Sequence, residues 1–457
     1  MTLSMQFLGA LKALCVVREG DAADALDAGF HPGNLAAGVV ALPGTTQEVC
    51  EIVALCRAHK ISIVPHGGRT GLAGAGESQP GQLIVDLQKM NRIVEPDTDA
   101  GTIAVEAGAT LQAVQEACAE HGLTPAIDLA ARGSATIGGM IATNAGGMEA
   151  FRCGVMRHRV IGMRAVMPDA SLLEDMTVVS KANEGFDIKH LLVGSEGRLG
   201  IITGAVLKLD RLPDAASSAL LSFQSAAAAV HALRHLRMRG GVLRAEIMWR
   251  GYAETVAQDI GLTELVASFP GDVLVLFEHA GTSQQDAQES QQEALLPFME
   301  SGHVEHAVIA QNDRQAADFW RIREESWAVE RRWPGGYWYD VSVPLSSLDG
   351  YVETLRGKLQ AIAGDIHFSC MGHLGDGNLH ITVSPQSGNL PDKAVVDAAV
   401  FSGLKAMGGS FSAEHGIGLE KMHALTAYGD PAKLAAARAV KQALDPDNLM
   451  NPGKVLL

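Results

Sequence analysis

A short apolar strand followed by a glycine-rich loop sets the fold expected for the first half of this chain. Residues 61–76 read Ile-Ser-Ile-Val-Pro-His-Gly-Gly-Arg-Thr-Gly-Leu-Ala-Gly-Ala-Gly. Consecutive glycines let neighbouring backbone N–H groups turn towards one anion, as in pyrophosphate-binding nests. The loop lacks the GxxxxGK(S/T) pattern of a P-loop, and Gln79 stands where a dinucleotide fingerprint needs its third glycine. Taken alone, this stretch leaves a phosphate cradle and an ordinary surface loop equally open.

The sequence around this loop predicts an α+β domain over residues 32–211. Thr45 and Glu48 have capping-box spacing, and apolar residues from Val49 to Cys56 follow at helical spacing. Strands are predicted at 61–64, 83–87, 102–107, 160–167 and 201–209, and a second helix at 110–121. Residues 1–31 are expected to form an N-terminal helical segment, because their apolar start lacks the basic region of a signal peptide.

Two further segments are poor in side-chain bulk. One runs from Ser134 through Thr136, Gly138 and Gly139 to Asn144 and Gly147, and the other covers residues 194–200. Three such loops indicate close backbone approach to a large ligand.

The second half of the chain has a different pattern. From residue 212 to 410 the predicted order is strand, helix, strand, strand, helix, strand, and a similar order follows. This order is typical of ferredoxin-like units. Two such units side by side predict a broad antiparallel sheet covered by helices on one face.

Composition and charge exclude several classes of function. The chain has 457 residues, with 52 acidic and 36 basic side chains and a formal net charge of −16, which disfavours nucleic acid as a partner. Its six cysteines form no CxxC pair, so neither a disulfide framework nor an iron–sulfur site is expected. No apolar run reaches the roughly 18 residues of a membrane span. We therefore expect a cytoplasmic protein.

The segment Gly372-His373-Leu374-Gly375-Asp376-Gly377-Asn378-Leu379-His380 predicts a hairpin with Asp-Gly in a two-residue turn. In that register His373 lies directly opposite His380, and both imidazoles could share one cation. The alternative is a hairpin with two half-exposed histidines. Glu414 and His415 lie in an extended Ser-Ala-Glu-His-Gly-Ile-Gly segment and should point in opposite directions, which gives them different roles.

These motifs together resemble the vanillyl-alcohol oxidase superfamily, the PCMH-type flavoproteins, from about residue 32 to the final Asn-Pro-Gly-Lys. The hairpin and the Glu-His segment resemble its D-2-hydroxyacid dehydrogenase branch, which includes D-lactate, D-2-hydroxyglutarate and glycolate dehydrogenases. The resemblance implies a PCMH-type FAD-binding domain at 32–211 and a substrate or cap domain at 212–410. It also implies a C-terminal segment, 411–457, that returns to the FAD domain and completes the active site.

The resemblance also implies which residues bind the cofactors. His373, His380 and Glu414 would bind a divalent metal, usually zinc, and His415 would act on the substrate hydroxyl. Because His66 precedes the loop glycines instead of following them, we expect non-covalent FAD. Met140 replaces an Asn of many relatives. The expected FAD-binding residues are Pro65, His66, Gly67, Gly68, Arg69, Thr70, Gly71, Ser134, Thr136, Gly138, Gly139, Asn144, Gly147, Glu196, Gly200, Ile202, Asn451 and Lys454.

The substrate side chain is expected to be small or apolar. Arg323 matches a family arginine that reaches the substrate. Hydroxyglutarate-type relatives contact a second carboxylate from positions that here hold Trp327, Trp338 and Thr382, and Trp327 resembles the D-lactate branch. Two indoles offer no cation to a distal carboxylate, whose uncompensated burial is costly. D-lactate is thus the foremost candidate, although Arg323 could pair with a second carboxylate.

The expected reaction is metal-assisted oxidation of a D-2-hydroxy acid to the 2-oxo acid, with hydride passing from C2 to flavin N5. Electrons would leave to a separate acceptor such as an electron-transfer flavoprotein, a cytochrome or a quinone, and a homodimer is a further expectation. Within the superfamily, the alternatives are D-2-hydroxyglutarate or glycolate oxidation and a redox-neutral ether-lipid synthase. Outside it, they are a flavin-free metallohydrolase and a non-catalytic flavin subunit.

Overall fold

The computed structural model of the chain describes residues 3–455. These residues divide into two compact units: the first comprises 3–147, 153–212 and 414–455, and the second comprises 148–152 and 213–413. None of the helices within the described range is long and apolar enough to cross a membrane.

The strands of the first unit form two four-stranded sheets and a two-stranded ribbon. They are β1 (Val16–Glu19), β2 (Val39–Leu42), β3 (Ile63–His66), β4 (Leu83–Asp86), β5 (Thr102–Glu106), β6 (Leu123–Thr124), β7 (Val160–Val166), β8 (Leu172–Asp175), β9 (Ile201–Lys208) and β10 (Asp210–Arg211). In the sheet of order β1-β2-β4-β3, the last three strands run parallel. The sheet of order β5-β9-β7-β8 is antiparallel, as is the β10-β6 ribbon.

Helices pack around these sheets. They are Met5–Leu14, Asp21–Asp24, Thr46–His59, Leu111–Ala119, Ile137–Thr143, Met156–Arg159, Lys189–Leu192, Met422–Tyr428 and Pro431–Leu444, with a 3-10 turn at Pro32–Leu35 and a short helix, Ala150–Cys153, at the unit boundary in the sequence. The predicted helix after Thr45 is confirmed. The Thr45 hydroxyl accepts the Glu48 N–H at 3.2 Å, and the Glu48 carboxylate accepts the Gly44 N–H at 2.8 Å. Its apolar stripe is buried in the core of the unit.

The second unit is built on one antiparallel sheet of seven strands, as the sequence predicted. They are β11 (Ala215–Phe223), β12 (Val242–Trp249), β13 (Val273–Gly281), β14 (His306–Ile309), β15 (Tyr337–Ser342), β16 (Ile366–His373) and β17 (Asn378–Pro385), in the order β14-β11-β13-β12-β16-β17-β15. Its helices are Ala226–Arg239, Arg250–Ile260, Thr263–Ala267, Gln284–Glu300, Asp313–Glu324, Trp327–Arg332, Leu348–Ile362, Lys393–Phe401 and Leu404–Met407, with a 3-10 turn at Leu345–Ser347.

The prediction that helices cover one face of this sheet is wrong. Ser217 and Ser218 are neighbours on β11 and therefore point to opposite faces. The Ser217 hydroxyl donates to Gln291 of helix Gln284–Glu300 at 2.7 Å, whereas Ser218 accepts the indole N–H of Trp320, in helix Asp313–Glu324, at 3.2 Å. Helices thus pack on both faces, because both faces of the strands carry buried side chains.

The turn between β16 and β17 also differs from the prediction. His373 pairs with Asn378 and Met371 pairs with His380, so the connection is four residues long, 374–377. Leu374 cannot join the ladder with β17 because it is buried and its N–H donates to the carbonyl of Ala245 on β12 at 2.9 Å. The register therefore moves by two residues. Since side chains alternate with a period of two, His373 and His380 still share one face.

Gly377→Ala should lower the free energy of unfolding more than Gly388→Ala does. Both glycines have left-handed backbones, with φ of +77° and +69°. A Cβ in that region costs about 1–2 kcal/mol at either position. Only at Gly377 would it also lie 2.1 Å from the carbonyl oxygen of Val343, whereas nothing lies within 4 Å at Gly388. Denaturant unfolding of both variants and the parent checks this prediction. Equal losses of unfolding free energy in the two variants would contradict the close approach of Gly377 to the Val343 carbonyl.

Candidate active site

The loop that follows β3 can approach a ligand closely through its backbone. A Cβ built on Gly67 would lie 2.2 Å from Oγ1 of Thr136, and one on Gly68 would lie 1.8 Å from the carbonyl oxygen of Ser134. Both positions therefore require glycine. The loop at 67–71 and the segment that begins at Ser134, both predicted to bind the cofactor, lie against each other. Among residues 3–455, no acceptor receives a hydrogen bond from the N–H groups of residues 67–71.

Arg69 fastens this loop to the sheet. Its backbone is left-handed, with φ of +55°. Its Nη1 pairs with the buried carboxylate of Asp86 at 2.5 Å, and its Nε donates to the carbonyl of Asp27 at 2.6 Å. The guanidinium therefore holds the loop, while the N–H groups on either side of it remain available.

Two buried polar atoms beside the loop have no partner within residues 3–455. Burial lowers the pKa of His66 to about 3, so its ring is neutral; Nε2–H donates to the carbonyl of Gly76 at 2.7 Å, and Nδ1 is left as a buried acceptor. The second atom is Oγ1 of Thr136. A ligand rich in phosphate and hydroxyl groups would satisfy both atoms and the loop amides. These residues thus fit FAD.

Residues near the C-terminus join this region. The N–H of Asn451 donates to the carbonyl of Ile63 at 2.7 Å, and its Nδ2 donates to the carbonyl of Ala75 at 3.0 Å. Lys454 donates to Oδ1 of Asn451 at 2.6 Å and to the carbonyl of Glu77. Burial lowers the pKa of Lys454 to about 8. Both residues therefore tie the end of the chain to the glycine-rich loop.

Glu196 is bound by the loop that follows Glu414 and His415. Its carboxylate accepts the N–H groups of Ile417 and Gly418 at 2.7 and 2.8 Å. Burial raises the pKa of Glu196, and these two N–H groups oppose that shift. Glu414 itself accepts the N–H of Gly147 at 2.6 Å. Hydrogen bonds within the first unit thus fix both ends of the segment that carries His415.

The other predicted cofactor residues serve local structure in part. Asn144 ends helix Ile137–Thr143 in a left-handed conformation, and its Oδ1 accepts the N–H of Arg157 at 2.9 Å. Gly138 packs on Ala107, where a Cβ would lie at 2.7 Å. Gly200 and Ile202 are buried at the start of β9. Their contacts with a cofactor stay predictions.

In the second unit, His373 and His380 converge. They occupy diagonal positions on one face of β16 and β17, and their ring centroids are 5.4 Å apart. Their Nε2 atoms are 3.5 Å apart.

Two carboxylates that the sequence reading missed lie beside these histidines. Glu246 is directly opposite His373 across β12 and β16, and Asp340 is directly opposite His380 across β15 and β17. Both carboxylates have 0% exposure. His373 Nδ1 lies 2.9 Å from Glu246, and His380 Nδ1 lies 3.8 Å from Asp340. The available signal in the sequence was Glu246, an acidic residue inside the largely apolar strand segment Leu-Arg-Ala-Glu-Ile-Met-Trp.

The predicted substrate residues lie on the same side of this sheet or near it. Arg323 is buried, and its Nε and Nη2 both contact Glu246 at 2.7 Å. Trp338 and Thr382 are directly opposite each other on β15 and β17. Trp338 is two residues from Asp340 and Thr382 is two residues from His380, so both side chains lie on the same face as the histidines. The Trp327 ring lies 5.7 Å from that of Trp338, and both are partly exposed, at 49% and 39%.

Comparison with known families gives two matches. Residues 37–175 match the family described as "FAD binding domain", and residues 212–455 match "FAD linked oxidases, C-terminal domain". Among curated proteins, the chain is similar to the D-2-hydroxyglutarate dehydrogenase of Xanthomonas citri pv. viticola, with 36% identity over 91% of this chain and 88% of that protein. It is also similar to the mitochondrial D-2-hydroxyglutarate dehydrogenase of Arabidopsis thaliana, with 33% identity over 93% of this chain and 76% of that protein.

Solved structures share the fold at low sequence identity. p-Cresol methylhydroxylase with bound substrate has a TM-score of 0.76 at 18% identity, covering 98% of this chain and 96% of that one. An alkyldihydroxyacetonephosphate synthase has a TM-score of 0.74 at 18% identity, covering 99% and 86%. At this identity the likeness concerns the fold alone.

Glu196→Ala should loosen the segment that carries Glu414 and His415. The substitution removes the acceptor of one buried and one partly buried N–H group, and leaving a buried donor unsatisfied costs about 1–3 kcal/mol. Amide exchange at Ile417 and Gly418, measured by mass spectrometry, should become at least tenfold faster. Exchange in β9 should stay unchanged. Glu174→Ala, which removes an exposed partner of Arg164, is the control. Unaltered exchange at residues 417 and 418 would show that Glu196 does not hold this segment in place.

Proposed function

This chain belongs to the FAD-linked oxidases, as its motifs predicted, and on that premise we propose that it is a metal-assisted dehydrogenase of D-2-hydroxy acids. The family makes it an oxidoreductase with an FAD-binding domain. The proposal adds that FAD is non-covalent, that a divalent metal takes part and that the product is a 2-oxo acid. The relatives named as D-2-hydroxyglutarate dehydrogenases support this class of substrate.

The observation that carries the proposal is the convergence of the two Nε2 atoms of His373 and His380, 3.5 Å apart. Two nitrogen ligands at the usual zinc distance lie about 3.4 Å apart around one tetrahedral ion. A carboxylate on the Nδ1 side of each ring is also common behind metal-ligating histidines. These residues fit a divalent metal. Glu414 is proposed as the third ligand from the sequence resemblance alone, and zinc as the expected metal.

The chain's own residues would bind the substrate and move a proton. When bound, FAD accepts the electrons of the oxidation, and a divalent cation polarises an oxygen ligand. We propose that a ring nitrogen of His415 accepts the proton of the 2-hydroxyl group. Arg323 uses Nε and Nη2 on Glu246, and among the described residues its Nη1 makes no hydrogen bond. That nitrogen is proposed to donate to the substrate carboxylate.

The paired indoles of Trp327 and Trp338 support a small or apolar substrate side chain. Both rings are partly exposed on the side of the sheet that carries the histidines, and they offer apolar surface without a cation. Burial of a second carboxylate against them would be uncompensated. D-Lactate is therefore the proposed substrate type. A second candidate, D-2-hydroxyglutarate, is favoured by the names of the similar curated proteins.

The remaining expectations are part of the proposal and rest on the sequence. We propose that electrons pass to a separate acceptor, that the chain forms a homodimer and that it is located in the cytoplasm. Membership of the FAD-linked oxidases favours a flavin-dependent dehydrogenase over a flavin-free hydrolase.

Turnover of the holoenzyme should separate the two candidate substrates. We expect kcat/KM for D-lactate and D-2-hydroxybutyrate to exceed that for D-2-hydroxyglutarate by at least tenfold in a dye-reduction assay, with L-lactate inactive. Trp338→Lys supplies a cation beside Thr382 and should narrow this difference, whereas Trp338→Phe, which keeps an aromatic ring and adds no cation, should not. A preference of the parent enzyme for the dicarboxylate would show that the indole argument is wrong.

His415→Ala should lower kcat by about 10²- to 10⁴-fold, because a positioned base contributes that much to proton removal. FAD content and bound metal should remain at parent levels. His121→Ala, which removes an exposed histidine of the same unit, is the control. An unchanged kcat in His415→Ala would leave that residue with a structural role only.

A further inference from the structure

We infer that Glu246 is a positioning residue that fixes the ring of His373 for metal binding and holds Arg323 through the same carboxylate. The inference rests on the metal site of the proposed function and assigns a role to a residue that the sequence motifs did not include.

The contacts of Glu246 engage both of its oxygens. Oε1 lies 2.9 Å from His373 Nδ1, and Oε2 accepts from Nε and Nη2 of Arg323, both at 2.7 Å. The three residues are nearly inaccessible, with exposures of 0% for Glu246, 4% for His373 and 6% for Arg323. A carboxylate buried so completely is stable only when such partners compensate its desolvation.

The carboxylate selects one tautomer of His373. An ionised carboxylate can only accept, so Nδ1 must carry the hydrogen, and the lone pair of a neutral ring is then on Nε2. Nε2 is the atom that points towards Nε2 of His380. Because Glu246 and His373 are directly opposed on β12 and β16, the sheet itself sets this orientation. Removal of such a partner typically weakens metal binding 10- to 100-fold.

Arg323 holds the carboxylate of Glu246 in a fixed orientation. Its guanidinium contacts Oε2 through two nitrogens, and the Tyr252 hydroxyl holds the Arg323 carbonyl at 2.8 Å at the end of helix Asp313–Glu324. On the His380 side, the carboxylate of Asp340 accepts the N–H of Ala413 at 3.0 Å. Asp340 is 3.8 Å from His380 Nδ1, and its Oδ1 accepts from the Asn378 amide at 2.9 Å. Glu246 thus lies closer to its histidine than Asp340 does.

The test is the zinc affinity of the holoenzyme and of Glu246→Gln, measured by competition with a chromophoric chelator. Gln has nearly the shape of Glu but no charge, and it can present either an oxygen or an amide nitrogen to His373 Nδ1. We expect zinc binding to weaken 10- to 100-fold. The FAD content should stay unchanged. In protein loaded with Co²⁺, the visible absorption of the metal should also change, which a structural role alone would not cause.

Glu278→Gln is the matched control, because Glu278 lies on the neighbouring strand β13 and pairs with Arg244 at 3.4 Å. It should bind zinc within twofold of the parent. If Glu246→Gln does not fold, Glu246→Gln combined with Arg323→Met removes both buried charges and leaves neither uncompensated. That double variant should also bind zinc at least tenfold more weakly.

The outcomes separate the inference from the proposed function. Parent protein that binds no zinc would overturn the metal site and the role of Glu246 together. Parent-like affinity in Glu246→Gln, with zinc bound by the parent, would overturn the role of Glu246 alone. Equal weakening in Glu278→Gln would overturn it as well, since the effect would then be a general property of charges in this sheet.

Discussion

The alternation of side chains along antiparallel strands is the constraint on which the chemistry of the second unit depends. It places Glu246, His373, His380 and Asp340 on one face of four adjacent strands, β12, β16, β17 and β15. Apolar side chains and helix Asp313–Glu324 cover the neighbouring part of that face, so Glu246, His373 and Asp340 are buried and His380 is largely so. Burial strengthens interactions among them and makes an unmatched member costly. A shift of one residue in any of these strands would separate the histidines from their carboxylates.

In the first unit, the loop after β3 must keep its backbone N–H groups available to a cofactor while the loop itself is held in place. Glycines at 67 and 68 allow the loop after β3 to contact the segment at 134–136. Buried polar side chains then hold the surrounding loops: Arg69 on Asp86, Glu196 on residues 417 and 418, and Asn451 on residues 63 and 75. These clamps leave the N–H groups of residues 67–71 available for a ligand.

The sequence predicted the family, many of the strands and helices of both units and the pair of histidines, because these depend on local patterns; it did not predict β1, β2, β8 or helix Arg250–Ile260. It did not predict the register of the β16–β17 hairpin. The Asp-Gly signal at 376–377 favours a two-residue turn, but Leu374 is held by Ala245 of a strand more than 120 residues away in sequence. Glu246 and Asp340 were missed for the same reason, since only strand order brings them to the histidines. Helices on both faces of the sheet likewise depend on which strands become neighbours, and no local pattern contains that information.

Anaerobic mixing of the purified flavoprotein with D-lactate tests the central claim most directly, because it needs no external electron acceptor. The account predicts that the visible absorbance of the oxidised flavin disappears with D-lactate and persists with L-lactate. A flavin that stays fully oxidised in the presence of D-lactate and every other D-2-hydroxy acid would contradict it.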